Sequence, residues 1–346
     1  VVVKPGVPAV LPQLPASANT RLDLAKWLVD LQNPLTSRVT VNRMWQAYFG
    51  KGIVESESDF GKQGSSPSHP ELLDWLAQEF MSQKWSQKAI HRLIVTSAAY
   101  RQSSKRRPET EAVDPFNKLL ARQNRLRLEA EIIRDSALAA SGLVTATVGG
   151  PSVYPPIPDG AMSVTQVSGP WPTATGPDRY RRGLYTFFRR SAAYPGLAVF
   201  DAPDATSSCT RRTRSNTPLQ ALTTLNDDVF IEFAQGLAAR VLKEAPDENR
   251  ERMRYAFTLA LGRAPRADEE KRLEQFLVRQ LDEYKTKPSR ATDLIYKGGK
   301  FGPDGKPLNP PPPKLAAMLP ADLPLEAAWT GVARVLLNLD DFLTRE

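Results

Sequence analysis

Helix start and stop signals recur along the chain, and each precedes or follows apolar residues spaced three or four positions apart. Thr20 and Asp23 have the form of a capping box, as do Ser68 and Glu71, and Gly50 is placed to end a helix. Apolar residues at this spacing share one face of a helix. The sequence therefore predicts a mainly α fold of about eight to ten helices, with long irregular loops rich in proline and glycine and at most a small β element.

Further positions are predicted to begin helices for the same reason, and one helix is predicted to run from Asp114-Pro115 to about Gly142. The other predicted starts are Asn33-Pro34, Ser86, Thr217-Pro218, Asn226, Arg250 and Asp268. The helices are expected to build a core from the apolar residues Trp45, Leu76, Leu93, Ile132, Leu222, Phe257 and Trp329.

Composition along the chain predicts four segments. Residues 1–19 form an extended lead-in, and residues 20–284 form the main helical domain, interrupted by an irregular loop at 149–177 that holds seven prolines and five glycines. Residues 285–324 are rich in lysine, glycine and proline, which predicts a flexible insertion. Residues 325–346 are predicted to form a C-terminal helix that packs back on the main domain.

Cysteine, histidine and apolar runs limit the possible chemistry. One cysteine among 346 residues excludes an internal disulfide, a cysteine-based zinc site and haem attachment through two thiols, and two histidines disfavour a histidine-rich metal site. We therefore expect no metal and no cofactor in this chain. No run of eighteen apolar residues is present, so no membrane-spanning helix is expected. The first residues lack an initiator methionine and a signal peptide, and the sequence is expected to be part of a longer polypeptide.

The net charge of +8 is concentrated in two segments. Residues 84–107 carry seven basic residues and no acid, and residues 179–214 carry eight arginines against Asp201 and Asp204. Such segments attract anionic ligands or acidic partners, or else pair with acids elsewhere in the fold, and the sequence leaves both alternatives open. Nucleic-acid binding is disfavoured because no recognisable reader motif accompanies the positive charge.

Two polar clusters supply the candidate ligand-binding residues. The first joins a helix to a glycine-containing turn, and the second lies in the arginine-rich segment. The candidates are Asn42, Arg43, Asp59, His69, Arg189, Arg190, Asp201, Cys209, Arg211 and Arg212. Asn42, Arg43 and Asp59 either line a polar cleft or hold the turn through hydrogen bonds, and His69 is expected to hydrogen-bond the turn.

Cys209 and Asp201 have structural alternatives of their own. Neighbouring arginines favour the thiolate form of a cysteine, which would make Cys209 reactive. Free cysteines are more often packed, so we expect a sheltered Cys209 in a network in which Asp201 pairs with Arg189, Arg211 or Arg212. No catalytic residue can be assigned, and whether the chain is an enzyme is left open.

Several short motifs occur in a characteristic order. They are Asn33-Pro34-Leu35-Thr36, Val41-Asn42-Arg43-Met44-Trp45, Asp59-Phe60-Gly61, Ser68-His69-Pro70-Glu71, Tyr100-Arg101-Gln102, Gly149-Gly150-Pro151, Phe200-Asp201 and Asn216-Thr217-Pro218-Leu219-Gln220. Through them the chain resembles a planctomycete-specific domain of unknown function found at the C-terminus of large exported proteins that contain cytochrome c. The resemblance implies a periplasmic or extracellular location, and haem c on another domain of the complete polypeptide.

Two functions are carried forward. The first is an extracytoplasmic accessory domain whose arginine-rich, basic cleft binds an anionic or carbohydrate ligand, or docks the redox domains of its parent protein. The second is a catalytic domain of a cytochrome-linked enzyme that acts on polysaccharide-derived substrates. The first rests on localised positive charge without a catalytic motif. The second rests on the domains that accompany the family in longer proteins and on the dense cluster of arginine, aspartate and cysteine residues.

Overall fold

The computed structural model describes residues 6–345 except 16, 19, 159, 162–169, 190–191, 298–301, 305 and 308. About 51% of the chain is helical, and one two-stranded sheet is formed by β1 (Leu126–Arg127) and β2 (Thr344–Arg345). The prediction of a mainly α fold is therefore confirmed. The chain divides into two compact units, Val1–Leu126 with Glu346 and Arg127–Arg345. This division lies inside the main domain predicted over residues 20–284, whose limits stay a prediction.

Unit 1 contains five helices in its described residues. They are α1 (Arg21–Leu28), α2 (Thr36–Phe49), α3 (Pro70–Ser82), α4 (Gln87–Thr96) and α5 (Pro108–Val113). The capping box of Thr20 and Asp23 begins α1, the Ser86 hydroxyl caps α4, and Gly50 ends α2 in the left-handed conformation. Local start and stop signals therefore predict these three ends correctly.

The core of unit 1 lies between α2, α3 and α4. Its fully buried side chains include Val41, Phe49, Leu76, Phe80 and Ile90. Trp45 and Leu76 are buried as predicted, but the prediction for Leu93 is wrong, because 37% of its surface is exposed. Ile90 and Ile94 occupy the inward face of α4, and Leu93 lies beside that face.

Unit 2 contains ten helices in its described residues, and three of them form its centre. They are α6 (Ala130–Ala140), α7 (Pro195–Ala198), α8 (Pro218–Asn226), α9 (Asp228–Glu244), α10 (Asn249–Leu261), α11 (Ala267–Thr286), α12 (Pro288–Ile295), α13 (Pro313–Ala316), α14 (Leu323–Leu337) and α15 (Asp340–Leu343). Two short 3-10 helices, Gly176–Tyr180 and Gly183–Tyr185, precede α7. Helix α14 packs against both α9 and α11, which makes it the central helix of this unit.

Phe257 and Trp329 are buried in this core as predicted, whereas two other core predictions are wrong. Ile132 is 41% exposed and Leu222 is 55% exposed. In α6 the next residue, Ile133, takes the inward position, and a shift of one residue turns a side chain by about 100° around the helix. Leu222 lies on the solvent face of α8, whose buried residues are Gln220 and Thr224.

One predicted capping box does not form, and one predicted helix start is wrong. Ser68 does not cap α3, because its hydroxyl lies 3.3 Å from the Ile53 carbonyl oxygen and 2.9 Å from Nδ1 of His69. Helix α3 begins instead at Pro70, which needs no hydrogen-bond partner for its nitrogen. Asp114 starts a turn and not a helix, since its carboxylate accepts from the Leu119 backbone N–H at 2.7 Å.

Residues 285–324, predicted as a flexible insertion, contain the end of α11, all of α12 and α13, and the start of α14. Ala291, Ile295 and Leu315 are buried in this stretch, while residues 298–301, 305 and 308 lie outside the described part. In the regions that the structure describes, no helix combines the length and the apolar character needed to cross a membrane.

Candidate functional site

The surface of unit 1 contains a pocket of about 210 Å³ beside α2 and the N-terminal end of α3. Its lining combines aromatic and aliphatic side chains with hydroxyl, amide, imidazole and charged groups. The lining residues are Trp45, Phe49, Lys51, Gly52, Ile53, Glu55, Ser65, Ser66, Ser68, His69, Asn117, Lys118, Leu120 and Asn124. Of the candidate residues that the structure describes, His69 is the one that lines this pocket.

The apolar part of the lining comes from α2 and the segments that follow it. Trp45 and Phe49 are one helical turn apart, and their rings stack with centroids 4.3 Å apart and planes inclined by 28°. Trp45 is 7% exposed, and Phe49 and Ile53 are almost fully buried. The pocket therefore has a rigid apolar base made of core residues.

Asn42 holds one wall of the pocket from behind. Its Oδ1 accepts from the Val54 backbone N–H at 2.9 Å, and its Nδ2 donates to the Val54 carbonyl at 3.0 Å. Asn42 is fully buried, and a Cβ at Gly52 would collide with its amide. Asn42 thus positions the loop that carries Lys51 and Ile53 without lining the pocket.

Asp59 shapes the next part of the same loop. Its Oδ1 accepts from the Gly61 backbone N–H at 2.7 Å, and its carbonyl accepts from the Ser56 hydroxyl at 2.7 Å. A Cβ at Gly64 would collide with the Asp59 carbonyl, so only glycine fits this close approach. The turn is followed by Ser65, which lines the pocket.

Ser68 and His69 form a polar pair at the entrance to α3. The Ser68 Oγ lies 2.9 Å from His69 Nδ1, and the Ser68 backbone N–H donates to the Ile53 carbonyl at 2.8 Å. The prediction that His69 hydrogen-bonds the turn is confirmed by this contact. Because Nδ1 is engaged with Ser68, the other ring nitrogen is the one left to contact a ligand.

A chain of amides fixes the opposite wall. The Asn117 Nδ2 donates to Asn124 Oδ1 at 2.9 Å, and the Asn124 Nδ2 donates to the Phe49 carbonyl at 2.8 Å. Asn117 and Leu120 both have left-handed backbone conformations, with φ values of 50° and 55°. Asparagine tolerates this conformation, whereas leucine adopts it at a cost of about 1–2 kcal/mol that the surrounding contacts must offset.

Three charged side chains lie at the rim of the pocket. The Lys51 Nζ is 2.9 Å from Glu55 Oε1, and the Lys118 Nζ is 4.0 Å from Glu55 Oε2. Each of the three side chains is between 44% and 57% exposed. The rim therefore carries two positive charges and one negative charge in contact with solvent.

Arg43 occupies a different position from the other candidates of unit 1. It is exposed on α2, between the buried residues Asn42 and Met44, and it does not line the pocket. Asn42, Asp59 and His69 thus belong to the construction of one pocket, whereas Arg43 lies outside its lining.

The candidates of the arginine-rich segment lie in unit 2, where Asp201 is the centre of a hydrogen-bonded cluster. Its carboxylate pairs with the buried Arg127 and accepts from the Ser215 backbone N–H and hydroxyl at 2.8 and 2.9 Å. Burial acts to raise the pKa of Asp201, but the Ser215 hydrogen bonds and the Arg127 charge outweigh it, so the pKa is lowered. The predicted network exists, but the prediction of Arg189, Arg211 or Arg212 as its partner is wrong.

The arginines predicted to surround Asp201 have other partners. Arg212 lies 2.6 Å from Glu131 and 3.2 Å from Glu129, and Arg189 donates to the Pro170 carbonyl at 2.7 Å while its guanidinium lies over the ring of Trp171. Arg211 is exposed, and Arg190 lies outside the described residues. For Arg212, the structure therefore shows ion pairs with acidic residues of the fold, which was one of the two alternatives for the basic segments.

Cys209 departs from its predicted environment. The thiol is exposed, and its Sγ lies 3.3 Å from the Arg211 carbonyl oxygen. The expectation of a sheltered cysteine is wrong, because residues 204–211 form an exposed loop. The loop is held at its ends by Asp201 and Arg212, and not by burial of its tip.

The sequence analysis did not predict several residues of the unit 1 pocket and of the Asp201 cluster. Arg127 precedes Asp201 by 74 positions, so no local pattern joins them. Lys51, Glu55 and the serines at 65, 66 and 68 lie within one polar stretch after α2, and their density was a signal that could have been followed. The parts of the chain that the structure describes contain no group of three or more His, Cys, Asp or Glu residues suited to hold a metal ion.

Comparison with known families places the chain among related sequences. Residues 20–277, which are 258 of the 346 residues, match the model of a family described as "Protein of unknown function (DUF1553)". No curated protein and no solved structure was found to match. The matched range spans both α2 with the pocket loop and the Asp201 cluster, and it covers well over half of the sequence. The chain therefore belongs to the DUF1553 family of domains of unknown function.

Proposed function

We propose that this chain is an accessory ligand-binding domain, and that the pocket of unit 1 binds a carbohydrate unit. The observation that carries the proposal is the lining of that pocket, which combines the apolar residues Trp45, Phe49 and Ile53 with serine hydroxyls. Carbohydrates combine apolar C–H faces with closely spaced hydroxyls, so they need both kinds of surface at short range. Ligand sites in general pair an apolar lining with a few placed polar groups.

The size of the pocket supports a small ligand. A volume of about 210 Å³ equals that of about seven liquid water molecules at about 30 Å³ each. This is below the usual range of about 300–1,000 Å³ for drug-sized ligands, so one sugar ring is the appropriate guest and a longer chain would extend outside.

The cellular setting is part of the same proposal and rests on the resemblance of the motifs. We propose a periplasmic or extracellular domain of planctomycete type that works beside other domains of a longer polypeptide, among them a cytochrome c domain with its own haem c. In that setting a carbohydrate-binding module would bring the parent protein to polysaccharide-derived material. Docking of the redox domains themselves is the other accessory role that fits an exposed basic segment.

A catalytic role in a cytochrome-linked enzyme is the second candidate. The observation that favours it is the exposure of the Cys209 thiol, which leaves the sulfur accessible to a reactant. Loss of a cytochrome-coupled turnover in the full-length protein on Cys209→Ser would support this candidate, and retention of that turnover would refute it.

Binding of methyl glycosides tests the first candidate. A ligand of about twelve heavy atoms at about −0.3 kcal/mol per atom binds with about −4 kcal/mol, which is a Kd on the order of 1 mM. At about 100 mM ligand such binding stabilises the native state by about 2.7 kcal/mol, which a thermal-shift assay detects.

A blocking variant assigns any binding to the pocket. Ser66 is exposed and lines the pocket, so Ser66→Phe should fill it without disturbing the core, whereas Ser58→Phe changes an exposed serine that does not line it. Binding that survives in Ser58→Phe and is lost in Ser66→Phe supports the proposal. Equal binding in both variants, or no binding of any neutral or charged methyl glycoside, refutes it.

A further inference from the structure

The charges at the rim of the unit 1 pocket are not balanced. Lys51 and Lys118 contribute two ammonium groups, and Glu55 contributes the one carboxylate among the lining residues. Among the lining residues this leaves an excess of one positive charge next to a cavity that opens to solvent, although Lys118 also interacts electrostatically with the Asp114 carboxylate outside the lining. A ligand with one negative charge would neutralise that excess.

The two lysines are not equivalent. Lys51 makes a hydrogen-bonded ion pair with Glu55 Oε1 at 2.9 Å, whereas Lys118 lies 4.0 Å from Glu55 Oε2, which is beyond hydrogen-bonding distance. An ammonium group has three protons to donate. Lys118 is therefore the cation whose donors are available to a ligand, and Lys51 serves chiefly to hold Glu55.

The remaining polar groups of the pocket also favour an acceptor-rich ligand. The amides of Asn117 and Asn124 are used in the hydrogen-bond chain of the wall, so they are already satisfied within the protein. The hydroxyls of Ser65 and Ser66 and the Lys118 ammonium group are the donors that remain next to the cavity. Carboxylate and sulfate oxygens accept such hydrogen bonds, and charged acceptors form roughly twice as strong a bond as neutral ones.

We infer that the pocket is selective for a saccharide unit that carries an anionic oxygen group, a carboxylate or a sulfate, and that Lys118 binds this group. The inference rests on the proposed carbohydrate function and adds the charge of the ligand to it. Glu55 then acts as a specificity residue, because it repels a ligand anion while it holds Lys51. The neutral hydroxyls of the sugar meet the serines, and its apolar face meets the apolar part of the lining.

The experiment compares four probes by calorimetric titration of the wild-type chain at low salt. The probes are methyl glucoside, methyl glucuronide, glucose 6-sulfate and inorganic sulfate. We expect both anionic sugars, or the one whose anionic group fits, to bind more tightly than methyl glucoside, and the preference to shrink as salt screens the exposed charges. The relative affinities of the uronate and the sulfated sugar identify which anionic group the site takes.

Three exposed variants test the assignment of the charges. Lys118→Met should weaken the anionic sugars by about two- to fivefold, and Glu55→Gln should strengthen them by a similar factor, as about half-exposed charges allow. The effect of either change on methyl glucoside binding should be smaller than its effect on the anionic sugars. Lys62→Met, at an exposed lysine outside the lining, is the matched control and should change nothing.

The outcomes separate this inference from the function on which it rests. Equal binding of neutral and anionic sugars, unaffected by Lys118→Met, overturns the inference and leaves the carbohydrate function standing. Inorganic sulfate that binds as tightly as glucose 6-sulfate shows an anion site without saccharide recognition, which overturns both the inference and the function. Binding of no sugar probe also overturns both.

Discussion

Glu326 is a carboxyl group inside the core of unit 2, and replacing it with glutamine should stabilise the protein at alkaline pH. The side chain lies in the first turn of α14 and is fully buried. Its Oε1 is 3.5 Å from the Thr330 hydroxyl, and its Oε2 has no hydrogen-bond partner among the described residues. Burial raises the pKa of Glu326 to about 8, although the hydrogen bond with Thr330 acts in the opposite direction.

The size and sign of the effect follow from the two ends of the titration. Below pH 4.5, the pKa of the carboxyl in the unfolded chain, Glu326 is protonated in both the native and the unfolded state, and its ionisation does not lower the stability. Between 4.5 and about 8 the unfolded chain releases the proton while the native state keeps it, so each pH unit costs about 1.4 kcal/mol of stability. The total loss above pH 8 is on the order of 5 kcal/mol, a large part of the usual 5–15 kcal/mol of a folded domain.

Urea unfolding at pH values from about 5 to about 9, followed by circular dichroism, measures this loss. Glu326→Gln keeps the shape of the protonated carboxyl and cannot ionise, so its advantage over the wild type should grow by on the order of 4 kcal/mol across that range. Glu274→Gln, at an exposed position of α11, is the control and should follow the wild type. Parallel pH profiles for Glu326→Gln and the wild type would refute a buried, protonated Glu326.

Three further predictions follow from single side chains. Asp201→Ala leaves the buried Arg127 without its carboxylate and should lower the free energy of unfolding by about 3 kcal/mol; urea titration checks this, and a loss below about 0.5 kcal/mol would contradict a structural ion pair. Cys209 should react with a thiol reagent as fast in the native protein as in urea, because it is exposed; strong protection in the native state would show that the loop is covered. Asn42→Ala removes both partners of the buried Val54 backbone and should cost about 3 kcal/mol by urea titration, whereas an unchanged midpoint would mean that the loop re-forms its hydrogen bonds elsewhere.

Three helix ends were predicted correctly where the capping partners are close in sequence. Thr20 with Asp23 and Ser86 with the Ala89 backbone N–H are pairs three residues apart, so the residues that make the cap are visible in the sequence. Gly50 ends α2 for an equally local reason, since its φ of 81° is one that glycine adopts without strain. The hydrogen bonds at these ends join residues three or four positions apart.

Predictions failed where a distant group competes for the same atoms or where two neighbours compete for one face. Ser68 has the sequence form of a cap, but Ile53, fifteen residues earlier, draws its hydroxyl and backbone N–H away from α3. Ile132 and Ile133 are equally apolar, and only the packing of α6 decides that Ile133 faces inward. A periodicity of apolar residues fixes the existence of a helix more firmly than its rotation about its own axis.

The difference between local and long-range contacts also explains how much of the Asp201 cluster and of the unit 1 pocket could be predicted from the sequence. The partner of Asp201 is Arg127 of β1, which lies 74 residues earlier in the chain. A sequence pattern shows only the neighbouring arginines, so it predicted the wrong partner. The pocket of unit 1 was easier to predict from the sequence. Residues 50–69 form a connection of twenty residues between α2 and α3, which is longer than the range of about 12–15 residues beyond which structureless loops are uncommon. Such a length requires internal hydrogen bonds, which Asn42 and Asp59 provide, and a connection so firmly held can present serines and lysines at fixed positions. Asn42 and Asp59, which hold this connection, were therefore among the residues that the sequence predicted. The serines and lysines that line the cavity were not predicted, because the sequence does not distinguish them from other surface serines and lysines.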